Sequence, residues 1–333
     1  MVGGPLSMET PETTNPERKV VVEVRDVEVT YRSKPKLKLD EGKPKLERDE
    51  FTVFRDLDLT IREHEFTTIV GPSGCGKSTI FRLILGSQFP TKGTVHVDGE
   101  PVRNVTPKTG IVYQRYSLFP HLTVADNIAL GPLLQQTGPF ESLVRSIGPR
   151  YRRVRRESRA EAFDLLGRIG LSRNDGDKYP HELSGGMRQR VAIAQATIMK
   201  PKVLMMDEPF GALDHSTRED MQLFILEQAE KNGLTVIFVT HDLDEALFLG
   251  TRVIGISQYY AADSAEDGVG SKIVTDRDLT AALGGAHPRP TTSIDTPEFR
   301  ELRRKVHHDV LDPDHRQHIS EFDHDHQDSN GKH

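Results

Sequence analysis

Tryptophan is missing from this chain, and cysteine occurs once, at Cys75. A single thiol excludes an internal disulfide and fits a reducing compartment. Long apolar runs are missing as well. None approaches the roughly 20 residues needed to cross a bilayer, and the first residues are rich in Pro, Thr and Glu where a secretory signal would be apolar. Any membrane role is therefore expected to be peripheral. Nor is there an excess of positive charge: 44 Lys and Arg face 50 Asp and Glu, a net charge of -6. With a pI of about 6.2, this argues against a nucleic-acid protein. Hydrophobic residues make up 35% of the 333, and mean hydropathy is -0.50. The expectation is a soluble chain of about two domains, long enough to bury a core. No internal repeat is visible.

What is present centres on Gly71-Pro72-Ser73-Gly74-Cys75-Gly76-Lys77-Ser78-Thr79, which reads G-x-x-x-x-G-K-S-T. The apolar run Phe66 to Val70 precedes it, and Ile80, Phe81, Leu83, Ile84 and Leu85 follow. Strand, glycine loop and helix therefore come in the order that a phosphate-binding loop requires. The three glycines let backbone N–H groups converge on one point, where the helix N-terminus near Lys77 adds partial positive charge. Lys77 can reach the β- and γ-phosphates, and the Ser78 hydroxyl can ligate a bridging magnesium ion. Cys75, near a helix start, has two readings: a thiol with lowered pKa, open to modification, or a small residue that the loop tolerates. The second is favoured.

Around this loop the chain reads as follows. Residues 1 to 18 form a disordered lead-in. Val20, Val22, Val24, Val27, Val29 and Tyr31 alternate with polar residues, as in half-buried antiparallel strands. Tyr31 is either a ring for stacking on a purine or an ordinary strand tyrosine. The charged, proline-containing residues 33 to 50 form an exposed loop or extended hairpin. Alternation resumes at Phe51, and Asp98-Gly99 turns a hairpin. Gln114 follows the short strand Ile111 to Tyr113. Residues 116 to 182 are helical and loop-broken, clearest at Val124 to Leu134 and Ala160 to Ile169. They include a basic stretch with Arg145, Arg150, Arg152, Arg153, Arg155, Arg156 and Arg159. It could meet anionic lipid, an acidic partner or nucleic acid, but the favoured reading is a solvated helix face.

A second glycine turn, Leu183-Ser184-Gly185-Gly186-Met187, opens another helix and offers a second anion-binding start. The buried strand Val203 to Met206 ends in Asp207-Glu208. Adjacent carboxylates at a strand end are costly without a cation, which points to magnesium. Asp214 closes the next turn. The strand Val236 to Val239 ends in Thr240-His241-Asp242, at the sheet edge where open parallel sheets bind ligands. Beyond Ser257 come a flexible loop from Ser264 to Ser271, a short helix opened by Thr296-Pro297 and running from Glu298 to Val310, and an Asp- and His-rich tail expected to hold metals only loosely.

The phosphate loop, Gln114, Leu-Ser-Gly-Gly-Met, Asp207-Glu208, Asp214 and His241, in this order, resemble the nucleotide-binding subunit of ATP-binding cassette (ABC) transporters. The resemblance covers residues 20 to 260. It implies an α/β fold, a P-loop NTPase cassette with a RecA-like, mainly parallel core sheet, an antiparallel β-subdomain and an α-helical subdomain. On this reading the cassette spans 19–262, with its helical subdomain at 115–182 and a basic insertion at 138–159. An extension at 263–311 and a disordered tail at 312–333 follow. The resemblance implies that Tyr31 stacks on adenine and that Gly71 to Thr79 wrap the phosphates. Ser78, Gln114 and Asp207 place Mg2+, Glu208 is the general base, and His241 contacts the γ-phosphate. The helix start at Ser184, Gly185 and Gly186 faces the ATP of a partner copy, giving an ATP-dependent homodimer, and Asp214 belongs to the nucleotide-binding set. Independently of family, in-line attack on a γ-phosphoryl group needs cations such as Lys77 and the metal, and an oriented water. Glu208 is the acid adjacent to the expected metal carboxylate.

Several features resemble importers, in particular the nitrate, sulfonate, taurine and bicarbonate group. They are Glu208-Pro209-Phe210-Gly211-Ala212-Leu213-Asp214, Phe119-Pro120-His121-Leu122-Thr123-Val124, Met187, and Thr296-Pro297-Glu298-Phe299-Arg300-Glu301-Leu302. The partners implied are membrane permease subunits and, indirectly, an extracytoplasmic binding protein, with the chain on the inner face of the cell membrane. A soluble cassette ATPase of translation or DNA repair would usually carry two cassettes or a coiled-coil insertion. An exporter would more often carry Thr and Asn in the turn after Glu208.

Overall fold

The computed structural model describes residues 18–33, 36–40, 43–47, 50–114, 118–144, 148–263, 269–284, 289 and 291–322. The expected lead-in at 1–17, Arg145, the loop at 264–268 and the end of the tail at 323–333 lie outside them.

The first layer is an antiparallel sheet. It is built from β1 (Val20–Arg32), β4 (Glu50–Arg62), β6 (Lys92–Val97) and β7 (Glu100–Pro101), in the order β4-β1-β6-β7. The period-2 alternation of β1 slips at Asp26, whose φ of 48° lies in the left-handed region. This irregularity shifts the register so that Val24 and Val27 both face the core. Between β1 and β4, residues 36–40 (β2) and 43–47 (β3) pair as an antiparallel hairpin, the second of the two forms expected for 33–50. Asp98 and Gly99, at φ 55° and 76°, make the turn between β6 and β7.

The main sheet is six-stranded. Its order is β13-β11-β5-β10-β9-β8, where β5 is Phe66–Val70, β8 Thr109–Val112, β9 Val203–Asp207, β10 Thr235–Val239, β11 Arg252–Ser257 and β13 Lys272–Asp278. The five strands β5, β8, β9, β10 and β11 run parallel. Strands β5 and β10 are buried along their whole length, which is why neither shows the apolar–polar alternation of a half-exposed strand. The helix after the phosphate loop, α1 (Lys77–Leu85), packs with the antiparallel sheet and one face of the main sheet. On the other face lie α2 (Val124–Val144), α3 (Pro149–Arg168), α4 (Gly185–Thr197) and α5 (His215–Asn232).

The basic stretch falls largely on α3. Arg159 pairs with Asp126 at 2.7 Å and with Asp177 at 2.8 Å, and Arg155 reaches Asp126 at 3.3 Å. Burial opposes ionisation of Asp126, but Arg159 and its neighbours outweigh it and hold the carboxyl below its usual range. These contacts fit the favoured reading of a solvated, ion-paired helix face.

The structure corrects the expected boundary at 262 in two ways. First, β13 is the antiparallel edge strand of the main sheet, paired with β11 from Arg252↔Asp278 to Ser257↔Lys272, so the extension is part of the core. The helices α6 (Leu243–Leu249), α7 (Leu279–Ala282) and α8 (Pro297–Val306) complete a third apolar cluster, with Leu247, Val274, Leu279, Phe299 and Val306 inside it. Second, residues 312–322 are not a free tail. Gln317–His318 (β14) pairs with Tyr260–Ala261 (β12), and the Phe322 ring packs edge-on against Tyr260. Both pieces are short and polar, and only their pairing partners identify them as structure.

Candidate active site

The phosphate loop joins β5 to α1. At Gly71 a Cβ would sit 2.2 Å from the Ile256 carbonyl oxygen, and at Gly76, with φ 99°, it would lie 2.4 Å from the Phe54 ring. The loop can therefore pack against β11 at Gly71 and against β4 at Gly76 only with glycine at both positions. No side chain caps α1, and its first turn carries no acidic residue, which leaves its N-terminal dipole for an anion. Lys77 Nζ folds back into the loop and donates to the carbonyls of Gly71 (2.6 Å) and Pro72 (3.0 Å).

Cys75 is wholly buried. Burial pushes its thiol pKa up, and the nearby Lys77 only partly offsets this. The reading of a thiol made reactive by the helix start is thereby overturned, because desolvation outweighs the positive end of the helix.

At the carboxyl ends of the parallel strands, three of the expected residues meet. Gln114 Nε2 donates to Glu208 Oε2 at 2.9 Å, and His241 Nδ1 lies 3.1 Å from Glu208 Oε1. The three side chains follow β8, β9 and β10 respectively. Glu208 has φ 44°, a left-handed conformation that L residues adopt at a cost and that recurs at functional sites. The β9 ladder holds it there, its N–H donating to the Val239 carbonyl at 2.9 Å. Next to it, burial and the Glu208 charge raise the Asp207 pKa, while Lys77 and Arg82 pull the other way.

The donor set fits a magnesium ion. The Asp207 carboxylate, the Ser78 hydroxyl and the Gln114 amide oxygen are hard oxygen donors, and Gln114 bonds Glu208 through its nitrogen, leaving that oxygen for a cation. The raised Asp207 pKa has a consequence for stability. The folded chain holds this proton more tightly than the unfolded one, so the contribution is full below the unfolded pKa and lost as pH rises through the folded value. At pH 7 the carboxylate therefore costs stability unless a cation sits beside it. Asp207→Asn is expected to raise the melting temperature of the nucleotide-free chain slightly and to abolish any Mg2+-dependent increment with ATP. Thermal scans with and without Mg2+ and ATP check this, and a lower melting temperature without nucleotide would contradict it.

The remaining expected residues stand otherwise. Ser184 caps α4 by accepting the Met187 N–H at 3.2 Å, and Asp214 caps α5 by accepting the Thr217 N–H at 3.1 Å. A Cβ at Gly185 would meet nothing within 4 Å, while at Gly186 it would touch Leu213 at 3.3 Å. Among the described residues, neither Ser184 nor Asp214 is hydrogen-bonded to the Gln114–Glu208–His241 group. Tyr31, at the end of β1, keeps an exposed ring and donates its hydroxyl to Gln88 Oε1 at 2.9 Å.

Sequence reasoning missed the supports of His241. Thr240 Oγ1 donates to the half-buried Glu245 at 2.7 Å and accepts the Asp242 N–H at 3.0 Å, and Asp242 caps α6. Arg289 Nη1 donates to the carbonyls of Leu247, Phe248 and Gly250 at the other end of that helix. Burial lowers the Arg289 pKa to about 10. The Asp242 cap followed by two acids was a legible helix-start signal, whereas nothing local marks Arg289.

A family model described as ABC transporter matches residues 54–211. The spermidine/putrescine import ATP-binding protein PotA of Haemophilus ducreyi is 38% identical over 296 residues, covering 87% of this chain and 70% of that protein. The chain belongs to the ABC transporter family. The nitrate import ATP-binding protein NrtC of Synechococcus elongatus is 38% identical over 260 residues, or 77% of this cassette chain but only 35% of the relative. A sulfate/thiosulfate import ATP-binding protein, CysA 1 of Agrobacterium fabrum, is 42% identical over 215 residues, or 63% of this chain and 58% of that protein. The dimeric structure of an ATP-binding cassette in a post-hydrolysis state, bound to ADP and Pi, superposes with a TM-score of 0.58 at 29% identity. It covers 78% of this chain and 98% of that one. As a member of the ABC family with this site, the protein is an ATP hydrolase of α/β cassette fold. Among the described residues, no helix is long and apolar enough to cross a membrane.

Proposed function

We propose that this chain is the ATP-hydrolysing subunit that energises an ABC importer, docked on permease subunits at the inner face of the cell membrane and served by an extracytoplasmic binding protein. The observation that carries the catalytic reading is the Gln114–Glu208–His241 group held at the ends of three adjacent parallel strands beside the phosphate loop. Gly71 to Thr79 hold the triphosphate, with Lys77 exchanging its two loop carbonyls for phosphate oxygens. Ser78, Gln114 and Asp207 hold Mg2+, which supplies charge neutralisation on the β- and γ-phosphates. Glu208 accepts the proton of the attacking water, His241 supports the γ-phosphate, and Tyr31 offers its exposed ring to the adenine. Ser184, Gly185, Gly186 and Asp214 complete the pocket of a second copy, so that two chains enclose two ATP molecules across a two-fold axis.

Import is favoured because the PotA, NrtC and CysA relatives are named for import. The cargo is a small hydrophilic solute, and the motif resemblance favours a small anion or a nitrogen or sulfur compound. The relatives themselves are named for polyamine, nitrate and sulfate. Affinity purification from detergent-solubilised membranes is expected to bring down a polytopic membrane protein in fixed ratio. Co-elution with ribosomes or DNA instead would sink the importer reading.

A further inference from the structure

The Asp- and His-rich end of the chain plays no part in the ATP chemistry, yet some of it is built into the fold. We propose that His308, Asp309 and His315 form a binding site for one divalent transition-metal ion of the zinc class. Ligand atoms of the three side chains lie within 4.8 Å of one another, the one such group of three among the described residues.

The scaffold under this group is packed. Thr296 caps α8, which buries Phe299, Leu302 and Val306. In place of a simple stop, the helix widens into a π-helical turn, His307–Leu311. Such turns are rare and tend to mark functional positions. Val310 pins the turn to the main sheet so closely that a Cβ on Gly255 would come within 2.3 Å of it. Asp309 on the same turn is buried, while His308 faces outwards. The chain then doubles back. The Asp312 N–H donates to the His307 carbonyl at 3.2 Å, and the Asp314 N–H donates to Asp312 Oδ1 at 3.0 Å. This return lays the His315 ring over that of His308, with centroids 3.5 Å apart. His308 Nδ1 and Asp309 Oδ1 are 3.4 Å apart.

Two imidazoles and one carboxylate are the donors of zinc, cobalt or nickel, whereas magnesium and calcium take oxygen-rich sets. Three protein ligands leave a coordination position for water. Bonds of about 2.0–2.2 Å to one ion require the two rings to turn out of the stack in which they now lie. An ion there would tie the π-helical turn, fixed on the main sheet, to the segment that pairs β14 with β12. None of the three residues is among those placed at the ATP site.

The test uses the full-length, untagged chain stripped of metal and titrated with Co2+, whose visible absorption reports imidazole coordination, then with Zn2+ in competition. One Co2+ per chain is expected, displaced by Zn2+. His308→Ala and His315→Ala should each weaken binding by about 100-fold or more. Both side chains reach solvent, so neither change should disturb the fold, which circular dichroism checks. A triple variant in the terminal segment, His324→Ala, His326→Ala and His333→Ala, should keep the same spectrum and affinity. Unchanged affinity in His315→Ala, loss of binding in the triple variant, or no stoichiometric binding would each overturn the assignment.

Discussion

Replacing Glu208 by Gln is expected to lower ATP turnover by about 10²–10⁴-fold, the usual contribution of a general base, while nucleotide binding is retained. The amide is nearly isosteric with the carboxylate. It preserves an oxygen to accept the Gln114 amide N–H that now sits 2.9 Å from Oε2, so the geometry survives and basicity is what is lost. Because chain separation is expected to follow cleavage, the variant should accumulate as an ATP-bound dimer on size exclusion, whereas the parent returns to monomers as ATP is consumed. Steady-state phosphate release and elution volume are the readouts. Turnover equal to that of the parent would refute Glu208 as base. Slow turnover without a persistent dimer would leave the base in place and remove the shared-pocket arrangement.

The second large effect concerns Asp276. Its two carboxylate oxygens receive Arg252 Nε at 2.7 Å and Nη2 at 2.6 Å, while Arg252 Nη1 donates to the Thr60 carbonyl at 2.6 Å and to Glu65 at 3.2 Å. Burial works against the Arg252 charge, but Asp276 and Glu65 outweigh it and raise its pKa. Asp276→Ala would leave a guanidinium whose side chain is 3% exposed with only Glu65 and the Thr60 carbonyl as partners, which costs about 3 kcal/mol, the lower end of the range for a broken buried ion pair. In a chain of this size that corresponds to a fall in melting temperature of roughly 4–5 °C, measurable by calorimetry. A fall of only a degree or two would mean that β13 is a loosely attached edge. The arrangement also implies that a chain cut after residue 262 loses its edge strand along with the partner of a buried cation.

These two sites differ in how far the sequence discloses them. The catalytic residues are adjacent to strong local patterns: glycines before Lys77, an apolar strand before Asp207-Glu208, another before His241. Residues that end neighbouring parallel strands must converge, so local reading sufficed to gather Glu208 and His241 beside the phosphate loop, while Gln114 joined them only through the family resemblance. Strand β13 gave no such signal. Thr275, Asp276 and Arg277 interrupt its apolar alternation, and Asp276 makes sense inside the sheet only once Arg252 on β11 is known to face it. The His308–His315 pair was hidden for a similar reason, since its closeness depends on a π-helical turn and a two-bond reversal that no periodicity announces. Cys75 shows the opposite limit. Its position in sequence left activation open beside the favoured reading of a tolerated small residue, and its depth under the loop decides for the latter.

The fold-back of Lys77 onto the carbonyls of Gly71 and Pro72 bears on how quickly nucleotide is captured. An ammonium already anchored inside the glycine turn keeps the cradle from collapsing and spares the incoming phosphates the task of ordering it. Little backbone entropy is then left to be lost on arrival, and what remains is a local exchange in which the ammonium trades two carbonyl bonds for phosphate oxygens.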